Sequence, residues 1–315
     1  MNSHDKQDMD NCFSKEDLDF YNQIIDEMGK NLKSDNRNTQ IKNIYKEIKE
    51  KYKDTLDKFE CNSEEPIRCI YHVACSGGTL ITKCLASMPN IIVLNEIDPL
   101  SELVFKLDKP DFRPTDLISL IREGEHDIDT EILIKIFEQS LSILNEEMQK
   151  TGRKVLVRGH IHSHYFVKDD YSSRKNLHTI ISNRFKSYSI VTVRDPIDSY
   201  ISAKNMGWLH FKPETFDEYC SRYLAFLDDY EDMPIFKYEE SLENPGENIK
   251  NICDALRIKY SDEFIETFGY FHFSGDSGRK SNVIEARNRQ EISNEFESEI
   301  NSSANYQCLK NRLGY

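Results

Sequence analysis

The chain has 315 residues, of which 38% are hydrophobic and 30% charged, a composition typical of a soluble globular protein with one large domain or two. Its 55 acidic residues outnumber the 41 basic ones, and the net charge of −14 argues against a protein that coats nucleic acid, because a phosphate backbone attracts net positive charge. No apolar run is long enough to span a bilayer, so we expect neither a nucleic-acid partner nor a membrane partner.

The first residues and the cysteines predict a cytoplasmic location. Residues 1–13 lack the apolar core of a secretory signal. The eight cysteines include no CxxC pair, as is usual for thiols that stay reduced.

Residues 1–62 are predicted to form an N-terminal helical extension. Apolar residues recur at intervals of three and four from Leu18 to Leu32 and again between Ile41 and Phe59. Both runs predict amphipathic helices, joined by a polar stretch into a hairpin. We expect this hairpin either to dock on the main domain or to join two subunits into a homodimer, and we assign it no chemistry.

Residues 63–315 are predicted to form an α/β domain. Short apolar stretches, typical of buried parallel strands, alternate with amphipathic helical segments. Strands are expected near 67–74, 91–94, 154–157, 189–193 and 235–238, and helices near 99–108, 114–123, 129–150, 196–206 and 214–230. This alternation predicts a three-layer α/β/α fold with a mainly parallel sheet. Because ligands of such sheets bind beyond the C-terminal strand ends, the residues that follow each strand are the functional candidates.

A glycine-containing loop follows the first strand and opens a helix. Its residues are Cys75, Ser76, Gly77, Gly78, Thr79 and Leu80. Two glycines permit a tight turn with inward N–H groups, and the helix N-terminus adds partial positive charge, so the loop predicts a small phosphate cradle. The GxxxxGK[ST] signature of nucleotide kinases is absent, and a plain strand-to-helix turn is the alternative.

Arg194 follows the fourth strand and is the second anion-binding candidate. Asp195 suits a helix N-cap and Pro196 a first helical turn, which leaves Arg194 at the strand end. Its guanidinium can hold a phosphate through two parallel hydrogen bonds, and Ser202 can bond to the same group. A structural ion pair between Arg194 and a neighbouring aspartate is the alternative.

In their order, these segments resemble the sulfotransferase family over about residues 66–290. The matching stretches are SGGTL, VRDPIDSYIS and PIFKYEESLENPGENIKNICDALRI. The resemblance implies that the 75–80 loop binds the 5′-phosphosulfate of 3′-phosphoadenosine 5′-phosphosulfate (PAPS), and that Arg194 and Ser202 bind its 3′-phosphate. Gly278 and Arg279 lie in a stretch similar to the C-terminal loop that closes over that phosphate.

One position departs from the family pattern. Many members carry Lys or Arg immediately before the Ser-Gly of the first loop, where this chain has Cys75. A thiol supplies no cation, so we predict that Lys83, one turn into the helix, balances the charge on the phosphosulfate. Arg158 is the next candidate.

Two residues are candidates for the base that accepts the proton of the acceptor. The segment 158–160 resembles the Lys-x-His of cytosolic sulfotransferases, which implies that His160 is the base, and imidazole titrates near neutral pH. Glu96 matches the Glu that serves as base in the tyrosylprotein and bacterial branches. The sequence favours His160, because its segment matches a charge as well as a base. On an extended segment, His162 and His164 would share a face with His160, but we expect them to be structural.

The resemblance implies a metal-free sulfotransferase that uses PAPS and a hydroxyl or amine acceptor. A nucleotide-dependent kinase with a similar phosphate cradle and a non-catalytic nucleotide-binding protein are the alternatives. The acceptor is expected to be a small molecule or a glycan. Its pocket is expected to involve the helices between 99 and 150 and the loop at 162–187.

Overall fold

A computed structural model describes residues 64–101, 103, 116–123, 129–167, 170–275, 283–285 and 291–315. The predicted N-terminal hairpin and any dimer contact through it lie outside these residues. So do Gly278, Arg279 and most of the helix predicted at 99–108.

Five parallel strands form the central sheet, in the order β2-β3-β1-β4-β5. The strands are β1 (Ile67–Tyr71), β2 (Ile91–Ile97), β3 (Lys154–Gly159), β4 (Ser187–Val193) and β5 (Ile235–Lys237). The central strand β1 is buried over its whole length, as expected of a strand covered on both faces. The C-terminal ends of all five strands therefore meet at one edge of the sheet.

Twelve α-helices connect the strands or cover the sheet within the described residues. They are α1 (Gly78–Ala86), α2 (Leu117–Glu123), α3 (Thr130–Gln149), α4 (Ile161–Tyr165), α5 (Leu177–Arg184), α6 (Pro196–Asn205), α7 (Phe216–Asp229), α8 (Tyr238–Glu243), α9 (Pro245–Ala255), α10 (Phe264–Thr267), α11 (Asn294–Ser302) and α12 (Ala304–Leu313). No helix in this part of the chain combines the length and apolar character that a membrane crossing requires.

Two hydrophobic cores lie on opposite faces of the sheet. Cys69 and Tyr71 of β1 pack into one core together with α7, whereas Ile70 packs into the other with α1 and α9. Alternate residues of a strand point to opposite faces, so helices cover both sides of β1. The predicted α/β class with a mainly parallel sheet is confirmed.

The region after β3 differs from the prediction. Residues 162–187 were expected to form a loop, yet they contain most of α4 and all of α5. Helix α4 has five residues, too few to show a helical period in the sequence. The N-cap of α5 is Asn176, whose side chain accepts a hydrogen bond from the Thr179 N–H.

Candidate functional site

A cavity of about 540 Å³ opens at the C-terminal edge of the sheet. The glycine loop, Arg194 and Ser202 line it from one side, and Glu96 and His160 line it from the other. Residues from four separate strand ends therefore share one space, which is the arrangement expected of a ligand site in an open α/β sheet. Ser76 and Lys83 are not among the lining residues.

The two glycines of the loop pack closely against the rings of Tyr238 and His72. Gly77 has a left-handed φ of 84° and precedes α1 as its N-cap. A Cβ on Gly77 would lie closer than 3.0 Å to the ring of Tyr238, and one on Gly78 would lie equally close to the ring of His72. Both positions therefore exclude any side chain, and both glycines line the cavity.

Gly77→Ala is expected to destabilise the protein by about 1–3 kcal/mol more than Gly207→Ala, because the new methyl group collides with Tyr238. Gly207 is the matched control, since its φ of 69° is also left-handed but no atom lies within 4 Å of its Cβ position. Each alanine carries a similar backbone strain of about 1–2 kcal/mol. Urea unfolding of both variants measures the difference, and equal losses would contradict the close packing of the loop.

The two hydroxyls of the loop have different roles. Ser76 is completely buried and donates to the Val73 carbonyl at 2.8 Å, so it shapes the turn and does not face the cavity. Thr79 lines the cavity, donates to the Gly275 carbonyl at 3.0 Å and accepts from Arg158 at 2.9 Å.

The structure brings Arg194 and Ser202 together beside the loop. Arg194 Nη1 lies 3.0 Å from the carbonyl oxygen of Cys75 and 3.5 Å from the hydroxyl of Ser202. The guanidinium also lies over the ring of Tyr238, 5.3 Å from its centroid. The carboxylate of Asp195 caps α6 by accepting from the N–H groups of residues 197 and 198, as the sequence predicts.

Arg158 is the buried cation that reaches the glycine loop. It is 3% exposed, and its Nε donates to His72 Nε2 at 2.8 Å. Nη1 donates to Asn95 Oδ1 at 2.8 Å and to the Ser274 carbonyl at 3.2 Å, and Nη2 donates to Thr79.

The prediction that Lys83 balances charge in the site is not supported by its position. Leu80 is the last residue of α1 that lines the cavity, and Lys83 lies one turn farther along the helix. Arg158 lines the cavity and was the second candidate. Cys75 also lines the cavity, and burial raises the pKa of its thiol to about 12, so this side chain is neutral.

The two candidate bases lie in different environments. His160 is the N-cap residue of α4, and burial lowers the pKa of its imidazole despite the nearby carboxylates of Glu96 and Asp98. Glu96 lies inside β2, not after it, at an irregularity of the strand register where its φ is 54°. Its carboxylate accepts a hydrogen bond from the Ser274 hydroxyl and lies 3.8 Å from Arg158 Nη2.

The other histidines do not form the extended row considered from the sequence. Helix α4 contains His162 and His164, so they do not alternate on a strand with His160. His162 lies 3.1 Å from His210, and both line the cavity, whereas His164 does not. Within the described ranges, no group of three or more His, Cys, Asp or Glu residues is arranged to hold a metal ion.

Asp98 fixes α4 against the end of β2, a role that the sequence did not indicate. Its carboxylate accepts from both terminal nitrogens of Arg174, at 2.9 and 2.8 Å, and from the hydroxyl of Ser163. Burial alone would raise the pKa of Asp98, but these hydrogen bonds lower it overall. The negative charge therefore remains paired beside the helix that follows His160.

No protein-family model matches the chain, and no curated protein shows significant sequence similarity. The solved structures that are similar in fold include three sulfotransferases. One is the sulfotransferase domain from the curacin biosynthetic pathway, which is 15% identical to this chain with a TM-score of 0.45; the match covers 80% of this chain and 99% of that domain. Another is the sulfotransferase domain from the Synechococcus PCC 7002 olefin synthase, which is also 15% identical with a TM-score of 0.45; the match covers 80% of this chain and 96% of that domain. Mouse sulfotransferase SULT7A1, solved with PAP, is 12% identical at a TM-score of 0.39, with coverage of 82% and 92%. Because all three TM-scores are below 0.5, the function of this chain is inferred from the residues that line the cavity.

Proposed function

We propose that the chain transfers a sulfuryl group from PAPS to a hydroxyl or amine acceptor. The observation that supports this proposal best is that two candidate anion-binding points line one cavity. Arg194 and Ser202 form one point, and the glycine loop with Thr79 and Arg158 forms the other. A nucleotide with a phosphate on each side of its ribose matches two such points, whereas a nucleotide with a single phosphate chain matches one.

The residues at both points suit the donor. PAPS supplies an activated sulfuryl group whose leaving group is a phosphate. The N–H groups of the loop at the start of α1 favour anionic oxygen, and the guanidinium of Arg158 balances the charge that grows on the leaving phosphate. Arg194 offers its planar fork to the 3′-phosphate. The carboxylates of Asp198, Glu239 and Glu243 also line the cavity, where they suit the ribose hydroxyl or the adenine amino group as hydrogen-bond acceptors.

We assign the base to His160. Neither ring nitrogen of His160 has a hydrogen-bond partner among the described residues, whereas the carboxylate of Glu96 is bonded to Ser274. A lowered pKa keeps the imidazole neutral at pH 7, which is the form that accepts a proton. As the acceptor oxygen or nitrogen bonds to sulfur and the sulfur–oxygen bond to the phosphate breaks, His160 takes the acceptor's proton.

The acceptor is proposed to be a small molecule or a glycan, and the enzyme to be cytoplasmic. The cavity lining also includes Ile161, His162, Trp208 and His210, which we assign to the acceptor. Ile161 and Trp208 are largely apolar, and burial lowers the pKa of His162 to about 3, so its imidazole is neutral. Such a wall suits an uncharged acceptor group better than a strongly anionic one.

Adenosine 3′,5′-bisphosphate, the desulfated product, is expected to raise the melting temperature of the protein as its concentration increases, because it binds the folded state alone. ATP at the same concentration is expected to give a much smaller shift, since it carries no 3′-phosphate. Differential scanning fluorimetry of the full chain measures both shifts.

Two further measurements separate the alternatives. Release of the bisphosphate from PAPS in the presence of an acceptor panel distinguishes an enzyme from a protein that only binds the nucleotide. A shift with ATP equal to that with bisphosphate, together with ATP turnover in the presence of Mg²⁺, would overturn the proposal in favour of a kinase.

A further inference from the structure

His72 lies at the meeting point of the glycine loop and the buried cation. It follows β1 directly, is 6% exposed and lines the cavity. Its Nε2 is 2.8 Å from Arg158 Nε, and its Nδ1 is 2.9 Å from the carbonyl oxygen of Val73. The sequence reasoning treated this residue as part of a strand and gave it no role.

The two contacts fix the tautomer of His72. A carbonyl oxygen only accepts, so Nδ1 must carry the proton that is donated to Val73. Nε2 then carries a lone pair and accepts the Nε–H of Arg158. Burial and the charge of Arg158 lower the pKa of His72 to about 3, which agrees with a neutral ring that leaves the positive charge on Arg158 alone.

This hydrogen bond sets the direction in which the guanidinium points. The guanidinium is planar, so a partner for Nε defines the positions of both terminal nitrogens. With Nε held by His72, Nη2 reaches Thr79 in the first turn of α1 and Nη1 reaches Asn95 on β2. The cation is thereby directed at the start of α1.

The same imidazole ring also supports the loop backbone. A Cβ on Gly78 would lie closer than 3.0 Å to three atoms of the His72 ring, so the ring packs directly on the loop. The His72 ring therefore contacts both the glycine loop and the guanidinium of Arg158. A change at His72 alters the orientation of Arg158 relative to the loop N–H groups.

We propose that His72 is a positioning residue that orients Arg158 toward the leaving phosphate of the donor, an inference that rests on the proposed function. Arg158 thus takes the part of the cation that Cys75 cannot supply. The contribution of His72 is confined to the 5′ side of the nucleotide, because Arg194 and Ser202 lie at the other anion-binding point.

Two ligands isolate this contribution. Adenosine 3′,5′-bisphosphate carries the 5′-phosphate, and adenosine 3′-monophosphate lacks it, so the ratio of their dissociation constants measures the gain from the 5′-phosphate. Titration calorimetry on the full chain gives both constants. His72→Leu is expected to reduce the ratio by about three- to tenfold, because Arg158 keeps its charge and loses only the hydrogen bond that orients it. The affinity for the monophosphate is expected to change less than twofold.

His72→Gln and His178→Leu are the matched variants. The side chain of Gln has a hydrogen-bond acceptor at a similar distance from the backbone. His72→Gln is therefore expected to retain most of the wild-type ratio of the two dissociation constants. His178 is an imidazole outside the cavity lining, and its replacement is expected to leave the ratio unchanged.

In an Arg158→Met background, His72→Leu is expected to have no further effect on the ratio, because His72 acts through Arg158.

The ¹⁵N resonance of the Arg158 Nε–H provides a readout that needs no nucleotide. It is expected to be protected from exchange in the wild type and in His72→Gln, and to lose protection in His72→Leu. Protection that persists in His72→Leu, or a ratio that is unchanged in that variant, would overturn the role of His72. If the wild type binds neither nucleotide, the proposed function fails while the resonance still decides whether His72 orients Arg158.

Discussion

His160→Ala is expected to lower the rate of sulfuryl transfer by about 10²–10⁴-fold, the usual contribution of a positioned general base. The affinity for adenosine 3′,5′-bisphosphate is expected to stay within about twofold, because the proposed role of the imidazole is toward the acceptor and not toward the donor phosphates. Transfer to any active member of an acceptor panel gives the rate, and slow hydrolysis of PAPS by water serves where no acceptor is active. Calorimetry gives the affinity.

The pH profile and two further variants make this prediction specific. A base must be deprotonated, so the rate falls as the pH drops through its pKa, and burial of His160 places that acid limb below pH 6.5. Glu96→Gln is expected to have a smaller effect than His160→Ala, and His178→Ala none. If Glu96→Gln causes the larger loss, the carboxylate of Glu96 is the base instead.

Arg194→Ala is expected to weaken the binding of adenosine 3′,5′-bisphosphate by about tenfold to 100-fold. In the proposed site the 3′-phosphate would lose its guanidinium partner, and a hydrogen bond to a charged group contributes about 1.5–3 kcal/mol. Arg194→Lys is expected to recover part of the affinity, since it restores the charge but not the planar fork. Titration calorimetry measures all three proteins.

The choice of ligand provides the control for Arg194. Adenosine 5′-monophosphate has no 3′-phosphate, so its affinity is expected to be nearly unchanged in Arg194→Ala. Arg184→Ala removes an arginine that is 42% exposed and lies outside the cavity lining, and it is expected to affect neither ligand. An equal loss for both nucleotides would indicate that Arg194 supports the loop through Cys75 and does not bind the 3′-phosphate.

The parts of the fold that the sequence predicts well are those fixed by local chemistry. Apolar runs located all five strands, and the Asp195-Pro196 pair placed the start of α6. The C-terminal ends of parallel strands meet at one edge of the sheet, which is why the sequence predicts that the loop, Arg194 and His160 line one cavity. Periodicity and capping signals were sufficient for this level of description.

The site details that the sequence did not predict depend on contacts between distant segments. His72 is 86 positions from Arg158, and Asp98 is 76 positions from Arg174, so no spacing rule connects them. The sequence favours Lys83 over Arg158 because Lys83 is nearer to the loop in sequence. In the structure, however, α1 leaves the cavity lining after Leu80, so Lys83 is not among the lining residues. The sequence predicts that β2 ends at Leu94, before Glu96. The strand continues through an irregular register between Leu94 and Ile97, and such an irregularity has no sequence signature.

The central position of β1 has a consequence for how the chain folds during synthesis. Arg68 pairs with Leu156 on one side, and Ile67 pairs with Ser187 on the other, so both neighbours of β1 follow it by roughly 90–120 residues. At about 5–20 residues per second, the ribosome delivers the second neighbour about 6–24 s after β1. Until β3 is made both edges of this strand, which is buried in the folded protein, stay unpaired, and the edge that faces β4 stays unpaired until β4 follows. Unpaired edges are the condition for aggregation and for capture by chaperones. Nascent chains that stop before residue 187 are therefore expected to bind chaperones more strongly than chains that extend past β4.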